Sequence, residues 1–144
     1  MNSFKTLLGR DYIKAKLSLL WLFVTLNYIY ADILSLMDAT VLNDILTGAV
    51  GDGVEITPAF LFFGAILMEI PIAMVVLSLV LKRRINRWAN ILAAAIKTAA
   101  VAGSLFVGTL ALYYLFFGIV EILTTLYIIW VAWTWKTPEA ATGR

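Results

Sequence analysis

Residues 88–135 read WANILAAAIKTAAVAGSLFVGTLALYYLFFGIVEILTTLYIIWVAWTW, and this stretch decides the fold. One helix crosses the hydrocarbon core of a bilayer with about 20 apolar residues, so a run of this length has to fold back on itself. The turn is expected at Gly108 and the stretch Thr109 to Tyr113, where glycine relaxes the backbone and Tyr113 and Tyr114 suit an interface. The run then supplies two spans, 89–109 and 115–135. Moving outward toward the N-terminus, two further apolar segments give spans at 17–37 and 58–81. Thr57 followed by Pro58 is a helix start signal for the second of these, an N-cap with proline at the first helical position.

Composition agrees with that reading. The 144 residues are 62% hydrophobic and 14% charged, with a mean hydropathy of +0.94. A water-soluble domain carries about 25% charged residues, so the bilayer is the expected solvent. The expected fold is all-α: a single membrane domain over 1–144, built as a bundle of four transmembrane helices. There are no cysteines and no histidines, which excludes disulfides, thiol chemistry and the commonest general base and metal ligand. No metal and no cofactor is expected. The net charge of +2 comes from segregated signs and does not point to nucleic acid. Residues 1–16 lack the apolar core and small-residue cleavage site of a signal peptide, so the first span is expected to serve as its own targeting signal.

Orientation follows from lysine and arginine. Lys5, Arg10, Lys14 and Lys16 precede the first span; Lys82, Arg83, Arg84 and Arg87 fill the second connection; Lys136 and Arg144 follow the last span. The first and third connections have none, and the first instead carries Asp38, Asp44, Asp52 and Glu55. The positive-inside rule places both termini in the cytoplasm, in a multi-pass protein of a prokaryotic plasma membrane. Trp21, Trp88, Trp130, Trp133 and Trp135 fall at the cytoplasmic ends of their spans, as half of an aromatic belt. In the outer first loop, Val41, Leu42, Ile45 and Leu46 recur at helical spacing, so a short amphipathic helix is expected there, followed by a turn at Gly51, Asp52 and Gly53. The acids of this loop match no calcium-binding spacing and read as a solvated lid.

Asp32, Glu69, Lys97 and Glu121 each lie inside one of the four spans. Four charges facing lipid unpaired would cost about 10–14 kcal/mol together on insertion scales, so all four are expected to face inward. At 100° per residue, Asn27, Tyr28, Ala31, Asp32 and Ser35 share an arc of the first span. Ala65, Glu69 and Ala73 align in the second. Asn90, Lys97, Ser104 and Gly108 follow one stripe of the third, and Tyr114, Gly118, Glu121, Thr125 and Ala132 one face of the fourth. Small residues beside polar ones permit close helix approach in lipid. Pro71 leaves the Leu67 carbonyl without its usual donor and bends the helix beside Glu69. The expected site is therefore a small hydrated cavity lined by Asn27, Tyr28, Asp32, Glu69, Lys97 and Glu121. Lys97 is expected to contact Glu69 or Glu121. Three acids against one lysine leave at least one carboxyl carrying a proton, with Glu69 the expected one. The bland alternative is that the charges merely fix helix register.

The stretch Leu26-Asn27-Tyr28-Ile29-Tyr30-Ala31-Asp32-Ile33-Leu34-Ser35-Leu36-Met37, with Glu69-Ile70-Pro71 and Glu121 further on, resembles the signature of a family of small prokaryotic four-helix membrane proteins of unknown function. The resemblance covers nearly the whole chain and implies four spans and no assigned activity. The layout is more distantly similar to DoxX-like proteins and to sterol-isomerase-like four-helix bundles, an analogy of fold.

Three functions fit these residues. The first is binding of a small molecule, lipid or ion at the bilayer midplane, with proton-linked transport as the associated activity. The second is an intramembrane enzyme using Glu69 or Asp32 as general acid/base on an apolar substrate. The third is a structural or accessory subunit. The expected partners are membrane lipids, an apolar or polar small-molecule ligand and a second copy of the chain. The strong charge bias requires a homodimer to be parallel. A retinal-type Schiff base on Lys97 is disfavoured, because four helices do not readily enclose such a chromophore.

Overall fold

The computed structural model describes residues 2–51, 53–106 and 111–135, with side chains from Tyr12 onward. The chain is all-α apart from one small hairpin. Its elements run α1 (Asn2–Met37), α2 (Ala39–Leu46), β1 (Ala49–Val50), β2 (Val54–Glu55), α3 (Pro58–Val80), α4 (Arg83–Ser104) and α5 (Leu112–Thr134). Three segments are long and apolar enough to cross a membrane: Tyr12–Met37, Pro58–Val80 and Leu112–Thr134.

Several boundaries differ from expectation. Helix α1 starts at Asn2 rather than Leu17, because the basic residues before Leu17 mark where a membrane would begin and do not stop a helix. Its 36 residues make it about 54 Å long at 1.5 Å per residue. Helix α4 takes in Arg83, Arg84 and Arg87 at its start and ends at Ser104. Of the turn expected from Gly108 to Tyr113, Gly108, Thr109 and Leu110 lie outside the described residues, while Leu112 and Tyr113 already belong to α5. Helix α5 begins at Leu112, three residues before the expected Leu115.

The first connection contains the short amphipathic helix, α2, capped by the Asp38 side chain, which accepts from the Thr40 N–H at 3.0 Å. The hairpin after it was not expected. Strand β1 pairs antiparallel with β2, Val50 opposite Val54. Gly51 and Gly53 both adopt positive φ in the connecting turn, a conformation that glycine takes without strain. The Asp52 position lies outside the described residues. At the start of α3, Thr57 accepts from the Phe60 N–H at 3.1 Å and Pro58 holds the first turn, as the sequence suggested.

The four long helices form a ring in the order α1, α3, α4, α5, with α5 closing back on α1. Each contributes a seam repeating at three and four residues, the spacing that keeps one face of a helix against its neighbours in a bundle. The α1 seam is Leu17, Trp21, Val24, Tyr28 and Ala31; that of α5 is Gly118, Glu121, Thr125, Ile128 and Trp135. In α3 the buried residues are Pro71, Met74 and Ser78. The outer faces are apolar, as Leu92 and Ile96 of α4 and Leu123 and Trp130 of α5 are all exposed.

Candidate functional site

The inward seams bring two polar layers into the bundle, two helical turns apart. One layer is built around Lys97. Its side chain is 2% exposed, and its ammonium lies 3.9 Å from the centre of the Tyr28 ring across the bundle. It also donates to the Leu67 carbonyl at 3.3 Å. That carbonyl is the one Pro71 deprives of a donor four residues on, so a lysine from α4 takes the place of the missing N–H. The ring face and the carbonyl both present negative partial charge to the ammonium, which compensates for part of its lost hydration.

Glu121 is buried on the adjoining face of α5. It is close enough to Lys97 and Asp32 to interact electrostatically, yet the two opposite charges do not pair. No carboxylate lies within ion-pairing distance of Lys97 among the described residues, and the Glu121 carboxylate accepts no hydrogen bond from them. The expected contact of Lys97 with Glu69 or Glu121 is thus replaced by one with a backbone carbonyl and an aromatic face. The Tyr28 hydroxyl is buried and also without a hydrogen-bond partner, with Glu121, Tyr114 and Asp32 in electrostatic range. Asp32 lies one turn beyond Tyr28 on α1 and is exposed at the rim of this layer.

Two of the six expected site residues are not in this constellation. The Asn27 amide donates to the Phe23 carbonyl of its own helix at 2.8 Å. Glu69 is exposed on the outer face of α3, with Ala65. Ala65 and Glu69 therefore mark an outward face, with Ala73 half-buried at its edge, and Glu69 does not line the Lys97 layer. The reason was present in the sequence. Glu69 and Pro71 are two residues and 200° apart, and Pro71 is buried. The inward face of α3 follows Pro71 and, one heptad on, Ser78.

The second polar layer includes residues the sequence reading did not assign to a site. Trp21, Ser78, Asn86 and Asn90 are all fully buried. The Trp21 indole N–H donates to Asn90 Oδ1 at 2.7 Å, and the Ser78 hydroxyl donates to the same oxygen at 3.3 Å. The Asn90 amide donates to Asn86 Oδ1 at 2.7 Å and to its carbonyl at 2.8 Å. Asn86 in turn donates to the Ser78 carbonyl at 2.6 Å. This chain ties α1, α3 and α4 together. Two asparagines four residues apart in one helix were the available signal. Trp21 and Trp135 were placed in an interfacial belt but are buried; Trp88, Trp130 and Trp133 are the exposed ones.

Apolar side chains separate the layers. Val24, Ala94 and Ile128 are fully buried between them, beside a Thr98–Thr125 hydroxyl contact of 2.7 Å. On the other side of the Lys97 layer, Tyr114 donates to Ser104 at 3.0 Å, and Gly118 packs against Leu105 closely enough that a Cβ would lie 3.0 Å from its methyl. Among the described residues no three metal-ligating side chains gather.

Comparison with protein families matches residues 5–142 to DUF6326, a family of unknown function. The chain belongs to DUF6326. No curated protein and no solved structure matches it. Membership gives the fold and its polar residues a family context and brings no activity with it.

Proposed function

We propose that this DUF6326 chain is a four-span protein of a prokaryotic plasma membrane that binds a small polar molecule or ion in the Lys97 layer. Both termini lie in the cytoplasm, and α4 is a span as well, the third in chain order. Its mean hydropathy understates its fitness for lipid, because Asn86, Asn90 and Lys97 point inward while Ile85, Trp88, Leu92 and Ile96 form an apolar outer face. The orientation rests on the basic clusters described above. Single cysteines at Glu55 and Arg84, in a chain with no cysteine of its own, are expected to label from opposite sides of the membrane. Labelling from one side overturns four spans.

The observation that supports the binding site is the Tyr28 hydroxyl, buried without a hydrogen-bond partner beside the buried Lys97 ammonium, with the carboxylate of the buried residue Glu121 in electrostatic range of both. Buried polar groups ordinarily find partners. A guest that donates to Glu121 and accepts from Tyr28 completes the layer, and Asp32 at the rim meets it first. Since Glu121 and Lys97 remain unpaired, a proton or cation arriving at Glu121 has no internal ion pair to break. That favours proton-linked binding or transport over a structural charge pair. Native mass spectrometry of the protein in lipid nanodiscs tests the site. A retained small molecule is expected in the wild type and in Glu69→Gln, and is expected to be lost in Glu121→Gln. A wild type with no bound molecule, or equal retention by Glu121→Gln, overturns the reading.

A further inference from the structure

Helix α3 is the least covered of the three apolar helices: 11% of its most apolar window is buried, against 33% in each of the other two. At its centre, eleven residues from Pro58 and eleven from Val80, stands the exposed Glu69, the sole ionisable residue of the helix. A carboxyl at this depth has no water to solvate it. Among the described residues nothing pairs with it, and the Lys97 side chain is buried within the bundle.

We infer that the Glu69 face of α3 is a homodimer interface in which the two Glu69 carboxyls meet on the two-fold axis. Three observations select a second copy. A residue at the midpoint of a span occupies the same depth in every copy, so an isologous contact through this face brings Glu69 opposite Glu69. A carboxyl group can both donate and accept a hydrogen bond, so two copies of this side chain can complement each other with no further group. The described lysines and arginines other than Lys97 fall outside the expected spans 17–37, 58–81, 89–109 and 115–135, and Lys97 is buried, so the group a second copy offers at this depth is its own Glu69. One turn to either side, Ala65 and Ala73 keep the helices free to approach closely enough for that bond. This interface is independent of the ligand site, which lies on the opposite side of α3.

The full chain, cysteine-free by nature, permits a direct test in vesicles of phosphatidylethanolamine and phosphatidylglycerol. Single cysteines at Ala65 and Ala73 are expected to form disulfide-linked dimers at least tenfold more readily than a cysteine at Leu92 on the outer face of α4. Equal or absent cross-linking at the α3 positions overturns the interface. Single-molecule photobleaching supplies the chemical arm. Glu69→Gln keeps a donor and an acceptor and is expected to preserve the dimer fraction within about twofold. Glu69→Leu places an apolar group on a lipid-compatible face and is expected to weaken dimerisation tenfold or more. A monomeric wild type, as expected if a different protein supplies a cation to Glu69, overturns the inference, and so does an unchanged dimer in Glu69→Leu.

Discussion

The two buried polar layers of this bundle differ in one respect that separates scaffold from site. In the Asn90 layer every side-chain amide, hydroxyl and indole N–H that points inward has a partner from another residue, and the bonds link α1, α3 and α4. In the Lys97 layer, two turns away on the same helices, an ammonium is held by a carbonyl and a ring while a carboxylate and a hydroxyl remain open. Buried residues in the two layers thus have opposite bonding states. A satisfied network rigidifies the packing around it, whereas open buried groups retain hydrogen-bonding capacity for something that arrives. Perturbing each layer should therefore give different kinds of loss: stability from the first, binding from the second.

The largest loss of stability is expected from Asn90→Leu. The substitution takes the acceptor from Trp21 and Ser78 and a donor from Asn86, in a place no water reaches. An orphaned buried group costs about 1–3 kcal/mol, while hydrogen bonds between membrane helices average about 0.6 kcal/mol. With three groups affected, a destabilisation of about 2–3 kcal/mol is expected in detergent unfolding. A change below about 0.5 kcal/mol, within the range of an ordinary surface substitution, would remove the contrast between the layers.

Lys97→Met should have an intermediate effect. It keeps the length of the side chain but loses both the bond to Leu67 and the contact with the Tyr28 ring, together worth about 1–2 kcal/mol. Pro71→Ala sharpens the assignment, because it returns an N–H to the Leu67 carbonyl and makes the lysine redundant there. The double variant should fall short of additivity by at least about 0.5 kcal/mol. Additive losses in a double-mutant cycle would mean that Lys97 and the kink are energetically separate, and that the ammonium is held by Tyr28 and the carboxylates alone.

The all-α class, the apolar outer surfaces and much of the inward face of α5 were legible in the sequence, because a membrane chain separates polar from apolar residues sharply around each helix. The faces of α1 and α5 follow from polar residues at three- and four-residue spacing, among them Tyr28, Ala31, Gly118, Glu121 and Thr125. Helix α3 was illegible by that rule. It is apolar all round, so a single acid set the expected face, and Glu69 belongs to the opposite side. The lysine contact was illegible for a different reason: it depends on a backbone carbonyl, which no residue letter announces, although Pro71 identified which carbonyl would be free. Trp21 misled because tryptophan suits both an interface and a buried hydrogen bond, and only the position of Asn90 across the bundle decides between them.

The smallest effect on stability, and the clearest separation of the layers, is expected from Tyr28→Phe. The ring that carries the Lys97 ammonium is retained and only the partnerless hydroxyl is removed. Removing a buried group that makes no hydrogen bond costs nothing in bonding and restores apolar contact, so unfolding should change by less than about 0.5 kcal/mol or shift toward greater stability. Trp21→Phe in the other layer removes a donor that does have a partner and should cost about 1 kcal/mol. For ligand retention the order reverses: Tyr28→Phe should lower it about tenfold, one hydrogen bond's worth, while Trp21→Phe leaves it unchanged once folding is matched. If Tyr28→Phe instead destabilises the empty protein by more than about 1 kcal/mol, its hydroxyl is held by a structural water. The Lys97 layer would then be a second scaffold, satisfied through that water, and the distinction between the two layers would collapse.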